Sequence, residues 1–210
     1  MSETPIVHVV DDDEPFLVAM ARLLRALGYE VRTYSNAGDF LLARSDHAPG
    51  CVLLDLRMPG PSGLDLQQAL AFQPEPLPII FLSGCGDVPS AVRAIKAGAV
   101  DFLTKPVKRA DLASAVEQAL QRDAEGRILR RRLRRWRACH ERLTECEAKV
   151  FERVVAGKMN KEIAGELGAA ERTVKAHRAK VMEKMQASSL ADLVHIADQL
   201  KMDRTVRAAG

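Results

Sequence analysis

Short apolar runs alternate with helical periodicities through the first 120 residues, and each strong run ends in or is followed by a polar or charged side chain. "IVHVV" (6–10) is followed at once by Asp11, Asp12 and Asp13, and "CVLLD" (51–55) ends in Asp55. "LPIIFLS" (77–83) ends in Ser83, "VDFLTK" (100–105) ends in Lys105, and a weaker run, "YEVRTYS", covers 29–35. Between the runs, Phe16, Met20, Leu23, Leu24 and Leu27 recur at three- and four-residue spacing and stop at Gly28, a helix-end signal. Phe40 to Leu42, Leu64 to Phe72, Val88 to Ala97 and Leu112 to Leu120 repeat the pattern. Such alternation predicts an α/β domain, a five-stranded doubly wound parallel sheet covered by helices on both faces. Sites in open sheets of this kind form outside the carboxyl ends of the strands, where these polar residues collect.

Strands one and three can be neighbours in such a sheet, which brings Asp11, Asp12 and Asp55 to one edge. Clustered carboxylates repel unless a cation neutralises them, and an all-oxygen donor set with room for water suits Mg²⁺. Lys105, beside Pro106, and the hydroxyl of Ser83 lie on the same edge. Asp13 and Glu14 read as a solvated helix start, since acids favour caps and first turns. Asp55 does not, because the residues before it are all apolar. A carboxylate, a metal, a lysine and a hydroxyl are the parts needed to transfer a phosphoryl group onto Asp55, with the cations offsetting charge on the phosphoryl oxygens. On residue type alone, Ser83 also reads as a strand-end cap and Phe102 as core packing.

The charge balance divides the chain. Residues 1–120 carry 10 Lys/Arg against 15 Asp/Glu, and residues 121–210 carry 21 against 13. The second part therefore suits an anionic partner. Seven arginines lie between 127 and 137. Leu129, Leu133, Trp136, His140 and Leu143 form a helical seam through them, which favours a helical connector with a solvated basic face, or a dimer contact, over a direct DNA arm. Gly126 is a point of interruption in that helix. Beyond it, Thr144 and Glu147 form a capping box that opens a helix stopping near Gly157. "NKEIAGELG" predicts a second helix, "ERTVKAHRAKVMEKM" a third and "SLADLVHIADQL" a fourth, with "KMDRTVRAAG" a frayed tail. Helices two and three have helix-turn-helix spacing, with Lys175, Ala176, His177, Arg178 and Lys180 on the segment suited to the major groove. Thr173, Asn160 and Lys161 suit phosphate contacts, which position a protein without reading sequence. A solvated helical bundle remains open on these residues alone.

No apolar stretch is long enough to span a bilayer, and "MSETPIVHVVDDDEP" lacks the pattern of a signal peptide. Cys51, Cys85, Cys139 and Cys146 have no metal-ligand spacing, and reduced thiols suit the cytoplasm. His177 has no partner ligands near it in sequence.

"VVDDDEP", "LLDLRMPGPSGLDL" and "FLSGCGDVPSAVRAIKAGAVDFLTKP" together resemble the flavodoxin-like receiver domain of two-component response regulators, in its FixJ-type branch, over about residues 5–120. The resemblance implies that Asp55 accepts a phosphoryl group from a partner histidine kinase. It implies Mg²⁺ held by Asp12 and Asp55, by Asp11 mostly through water, and by the backbone carbonyl of Arg57. Ser83 and Lys105 would bind the phosphoryl group, the Lys105–Pro106 bond would be cis, and Phe102 would turn inward as a switch. "LTECEAKVFERVVAGKMNKEIAGELGAAERTVKAHRAKVMEKM" resembles the LuxR/NarL-type four-helix DNA-binding domain, and implies a core-facing Val174, a groove-facing Lys175 and a dimerising fourth helix. The expected organisation is thus a receiver at 1–120, a basic helical connector at 121–142 and an all-α helix-turn-helix domain at 143–210. It would act on promoter DNA as a homodimer when phosphorylated, and would be no enzyme beyond assisting its own phosphorylation and dephosphorylation.

Three departures stand out. Cys85 borders the site where relatives commonly carry another residue, Cys146 replaces a frequent Arg, and Ala170 replaces the Ser that usually caps the recognition helix. A rival reading is a phosphohydrolase of the haloacid-dehalogenase type, because Asp11 and Asp13 supply a D-x-D after the first strand. Pro15 stands where that family has Thr or Val, and no cap domain is visible. A receiver-fold protein that binds DNA regardless of phosphorylation is the third possibility.

Overall fold

The structure is a computed structural model that describes residues 4–44, 48–84 and 88–208. The departure at Cys85 lies outside the described residues. The chain separates into two compact units, Met1–Arg127 and Ile128–Gly210.

In the first unit, β1 (Ile6–Val10), β2 (Glu30–Tyr34), β3 (Gly50–Asp55), β4 (Ile79–Ser83) and β5 (Asp101–Thr104) alternate with helices. These are α1 (Glu14–Ala26), α2 (Ala37–Ala43), α3 (Gly63–Ala71), α4 (Val88–Lys96) and α5 (Arg109–Glu141). All strand pairs are parallel, in the order β2-β1-β3-β4-β5. The sheet is buried on both faces, so its central strands are apolar throughout rather than alternating. Val7, Val9, Cys51 and Leu53 face Leu17, Met20, Leu24, Leu112 and Val116 on one side. Val10, Val52, Leu54 and Phe81 face Phe40, Leu66, Leu70 and Ala94 on the other. Burial pushes the Cys51 thiol up to about 12, which leaves it an inert core residue.

α1 starts on Asp13, whose side chain accepts from the Phe16 N–H at 3.1 Å, and Gly28 follows its end at φ +92°. The expected helix-start role of Asp13 is the one it has.

α5 continues past residue 120 and through Gly126 without a break. Asp123 explains how: it is buried and accepts from the Gly50 N–H at 3.0 Å and from Arg127 Nε at 2.6 Å. Arg127 also donates to the Ala48 carbonyl at 2.6 Å. One glycine costs only about 1 kcal/mol in a helix, which these contacts outweigh.

The second unit comprises the end of α5, α6 (Glu145–Val155), α7 (Asn160–Leu167), α8 (Glu171–Met185) and α9 (Leu190–Ala208). Val150, Phe151, Val154, Ile163, Val174, Val181, Met185, Leu193, Ile196 and Leu200 form its core. Of the expected seam, Leu133 is buried and Trp136 and Leu143 pack on this core beside the buried Cys139, whereas Leu129 is exposed. The tail expected to fray instead continues α9 to Ala208.

Thr144 and Glu147 form the expected capping box, and Glu147 also accepts from Lys184 Nζ at 2.5 Å. The Lys184 bond, then the Thr144 N–H, hold the Glu147 carboxyl at about 2, below its ordinary 4.5. A depressed carboxylate contributes stability that is complete above its unfolded pKa and is lost as pH falls through the folded one. The midpoint of urea unfolding should therefore drop between pH 4.5 and about 2, and Glu147→Gln should flatten that drop; an unchanged slope in the variant would refute the assignment. Ala170 caps α8 with no side-chain hydrogen bond, so Ala170→Ser should stabilise the second unit by about 1 kcal/mol, read from the same unfolding curves.

Candidate functional site

Parallel register brings the ends of β1, β3 and β4 level: Val10 pairs with Leu54, and Asp55 with Leu82. The last residues of β3 and β4, Asp55 and Ser83, and the residues just after β1 and β5, Asp11 and Lys105, then share one rim. Asp11, Asp12, Asp13, Asp55, Arg57, Ser83, Gly84 and Lys105 line a cavity of about 270 Å³ there.

Lys105 is the hub. Its Nζ donates to Asp11 Oδ2 at 2.5 Å and to Asp55 Oδ1 at 2.7 Å, and lies 4.0 Å from the centroid of the Phe16 ring. Asp55 Oδ2 accepts from the Arg57 N–H at 2.6 Å, and Asp11 Oδ1 from the Asp13 N–H at 3.0 Å. Asp11, Asp55 and Ser83 are buried, and Asp12 is exposed. Burial disfavours the Lys105 ammonium, but its bonds to Asp11 and Asp55 outweigh that and raise its pKa above the ordinary lysine value. Burial likewise lifts Asp11 above the usual carboxylate range, with the Lys105 bond opposing it. Asp11 and Asp55 thus share the Lys105 ammonium, which leaves this pair of carboxylates short of positive charge.

That shortfall tests the fit of a metal. Among the described residues no three acids or imidazoles converge as a ready-made metal cage, since Lys105 engages the inner oxygens of Asp11 and Asp55. Mg²⁺ keeps several waters and needs few protein ligands. Asp11, Asp12 and Asp55 put carboxylate oxygens on this rim, donors of the kind such an ion takes. The Lys105–Pro106 peptide is cis. Phe102 is half-buried, with its ring 6.3 Å from that of Phe81 and stacked on it.

Two contributors escaped the sequence reading. Phe16 read only as a core residue of α1, yet its ring lies under the Lys105 ammonium. Gly63 opens α3 where a Cβ would fall 2.3 Å from the Asp55 carbonyl oxygen and 3.0 Å from the Phe81 ring. The only signal was a glycine in a first helical turn, "PSGLDL".

In the second unit, α7 ends on Gly168 in the left-handed region (φ +62°), which turns the chain into α8. Thr173, Lys175, Ala176 and Lys180 are exposed along α8, Lys161 is exposed on α7, and Val174 is buried. Arg178 and Asn160 are brought together, with Arg178 Nη1 donating to Asn160 Oδ1 at 3.2 Å. His177 is half-buried and its Nδ1 has no hydrogen-bond partner among the described residues.

Residues 7–117 match the response regulator receiver domain, and residues 141–197 match the bacterial regulatory proteins of the luxR family. The chain belongs to the response regulators. It is 43% identical over 196 residues to the response regulator protein TmoT of Ectopseudomonas mendocina, covering 93% of this chain and 89% of the relative. Nodulation protein W of Bradyrhizobium diazoefficiens is 43% identical over 199 residues, covering 95% and 88%. Among solved structures, response regulator StyR superposes with a TM-score of 0.78 at 45% identity, covering 93% of this chain and 99% of that one. Full-length FixJ from B. japonicum gives 0.57 at 37%, covering 95% and 98%. This response regulator therefore couples a receiver to a LuxR-type DNA-binding domain, as its transcriptional relatives do, and its family is not one of conventional enzymes. Receiver domains typically bind Mg²⁺ and imply a histidine kinase partner. No helix among the described residues is long and apolar enough to cross a membrane.

A methyl group at position 63 must displace the Asp55 backbone or the Phe81 ring. Gly63→Ala is expected to cost about 1–3 kcal/mol of receiver stability through overpacking, measured by urea unfolding; a loss under about 0.5 kcal/mol would show that the close approach is slack.

Proposed function

We propose that Asp55 is the phospho-acceptor through which a histidine kinase controls DNA binding by this chain in the cytoplasm. The observation that carries this reading is the buried Asp55 carboxylate at the end of β3, facing a cavity and bonded to Lys105 at 2.7 Å and to the Arg57 N–H at 2.6 Å. A carboxylate oxygen attacks the phosphorus of a phosphohistidine. The O–P bond forms as the P–N bond breaks, and the imidazole leaves with the electron pair and takes up a proton. Lys105 stays with the oxygens that carry the new charge, and the Ser83 hydroxyl donates to one of them. Phe102 follows Ser83 inward, which changes the surface of α4, β5 and α5. Asp12, Asp55 and the Arg57 carbonyl, with Asp11 through water, would hold Mg²⁺, which would supply further neutralisation of the phosphoryl oxygens. The same groups assist hydrolysis of the acyl phosphate, so the domain limits the lifetime of its own signal.

The receiver of residues 1–120 is the input, the basic helix of 121–142 the connector, and residues 143–210 the output. Phosphorylated receivers pair, and the homodimer sets two recognition helices on half-sites about one helical turn apart in promoter DNA. Lys175, Ala176, His177, Arg178 and Lys180 face the groove, whereas Thr173, Asn160 and Lys161 serve the phosphates.

An acyl phosphate donor should add one phosphoryl group to the wild-type chain, seen by intact mass, and none to Asp55→Asn. Continued labelling of that variant would move the acceptor elsewhere, Asp11 first. On DNA, Lys175→Ala should relax sequence preference, while Lys161→Ala should weaken specific and random duplexes alike and reduce the salt slope by about one. Equal losses on both duplexes for both variants would remove α8 from the groove.

A further inference from the structure

The stretch of α5 from Ile128 onward is fastened to the second unit along one side. Cys139 is buried in that unit's core, Trp136 and Leu143 pack against it, and Leu133 is buried on the same side of the helix. Trp136 meets the His195 ring edge-on at 6.0 Å, and His140 meets Phe151 at 5.3 Å. The opposite side carries Arg131, Arg134 and Arg135 at i, i+3 and i+4, all exposed, a spacing that puts three arginines on one helical face. Arg135 also hydrogen-bonds Gln186 Oε1. Gln186 is the residue that caps α8 at its carboxyl end, in the left-handed region at φ 56°. The arginine face is therefore a rigid part of the helix-turn-helix unit, tied to the far end of the recognition helix.

From this juxtaposition we infer that Arg131, Arg134 and Arg135 bind the phosphate backbone of duplex DNA, as a second anchoring surface beside the one on α7 and α8. Charge complementarity selects the occupant. Residues 121–210 carry 21 Lys/Arg against 13 Asp/Glu, and duplex DNA presents a dense and regular array of negative charge. A guanidinium fork matches phosphate geometry in two hydrogen bonds. Holding the side chains on a packed helix removes the ordering cost that a loose basic arm incurs on binding. These contacts carry no base information, so they raise affinity for all sequences and steepen its salt dependence without changing which site is preferred.

The inference rests on the reading of this unit as DNA-binding, and the test separates the two. The full-length chain is titrated with a fluorescent mixed-sequence duplex of about 40 bp over a salt series. The wild type is compared with the triple variant Arg131→Gln/Arg134→Gln/Arg135→Gln, with the same three positions changed to Lys, and with Lys175→Ala. Each phosphate contact contributes roughly 0.9 to the slope of log affinity against log salt. The glutamine variant should therefore lose roughly 1.8 to 2.7 of slope, two to three contacts, and the lysine variant should keep most of it. Arg131→Gln alone, which leaves the Gln186 bond intact, should lose roughly 0.9 and serves if the triple variant does not fold. Unchanged slopes in the glutamine variants, with Lys175→Ala still weakened, would overturn the inference alone. The same unchanged slopes with an altered sedimentation coefficient would assign the face to a second copy of the chain. A lysine variant as impaired as the glutamine one would reduce the arginines to structural props. A wild type that binds no duplex at all would overturn both the inference and the DNA-binding reading.

Discussion

Two buried carboxylates sharing one ammonium organise the first unit. Asp11 and Asp55 leave the ends of adjacent strands, and without Lys105 their mutual repulsion and desolvation would oppose the register that makes the sheet. Lys105 arrives from a third strand on the far side of β4, so the charge contact reports that β1, β3, β4 and β5 are all in place. The same contact is incomplete. Burial keeps Asp11 reluctant to ionise even beside Lys105, so the rim retains a demand for positive charge that one shared ammonium does not meet.

The second unit uses its polar contacts differently. Glu147 joins the start of α6 to Lys184 near the end of α8, and Arg178 crosses to Asn160 on α7. Each contact ties two helices of the recognition module, so α8 is held at both its middle and its end. Its exposed residues then face solvent on a fixed frame. Preorganisation of this kind lowers the ordering cost of docking into a groove.

Much of this was legible in the residues. The strands announced themselves because a sheet covered on both faces needs apolar runs, and Asp55 at the end of one of them had no other local explanation. The helix-turn-helix showed in Gly168 and in the change of charge at α8. Other features depend on contacts distant in sequence, which no local pattern carries. Asp123 sits in "QRDAEGR" and reads as a solvated helix residue; only the register of α5 against Gly50 buries it. Gly63 gives no hint of the carbonyl it accommodates. The seam on α5 signals that a face is covered without saying by what, and its partner proved to be the core of the second unit.

β3 is gripped at both ends. At its start the Gly50 N–H is held by Asp123 of α5, and at its finish Asp55 is held by Lys105 and the Arg57 N–H. A strand moored in this way resists sliding along its own axis, so the carboxylate it carries to the rim keeps its place relative to Lys105.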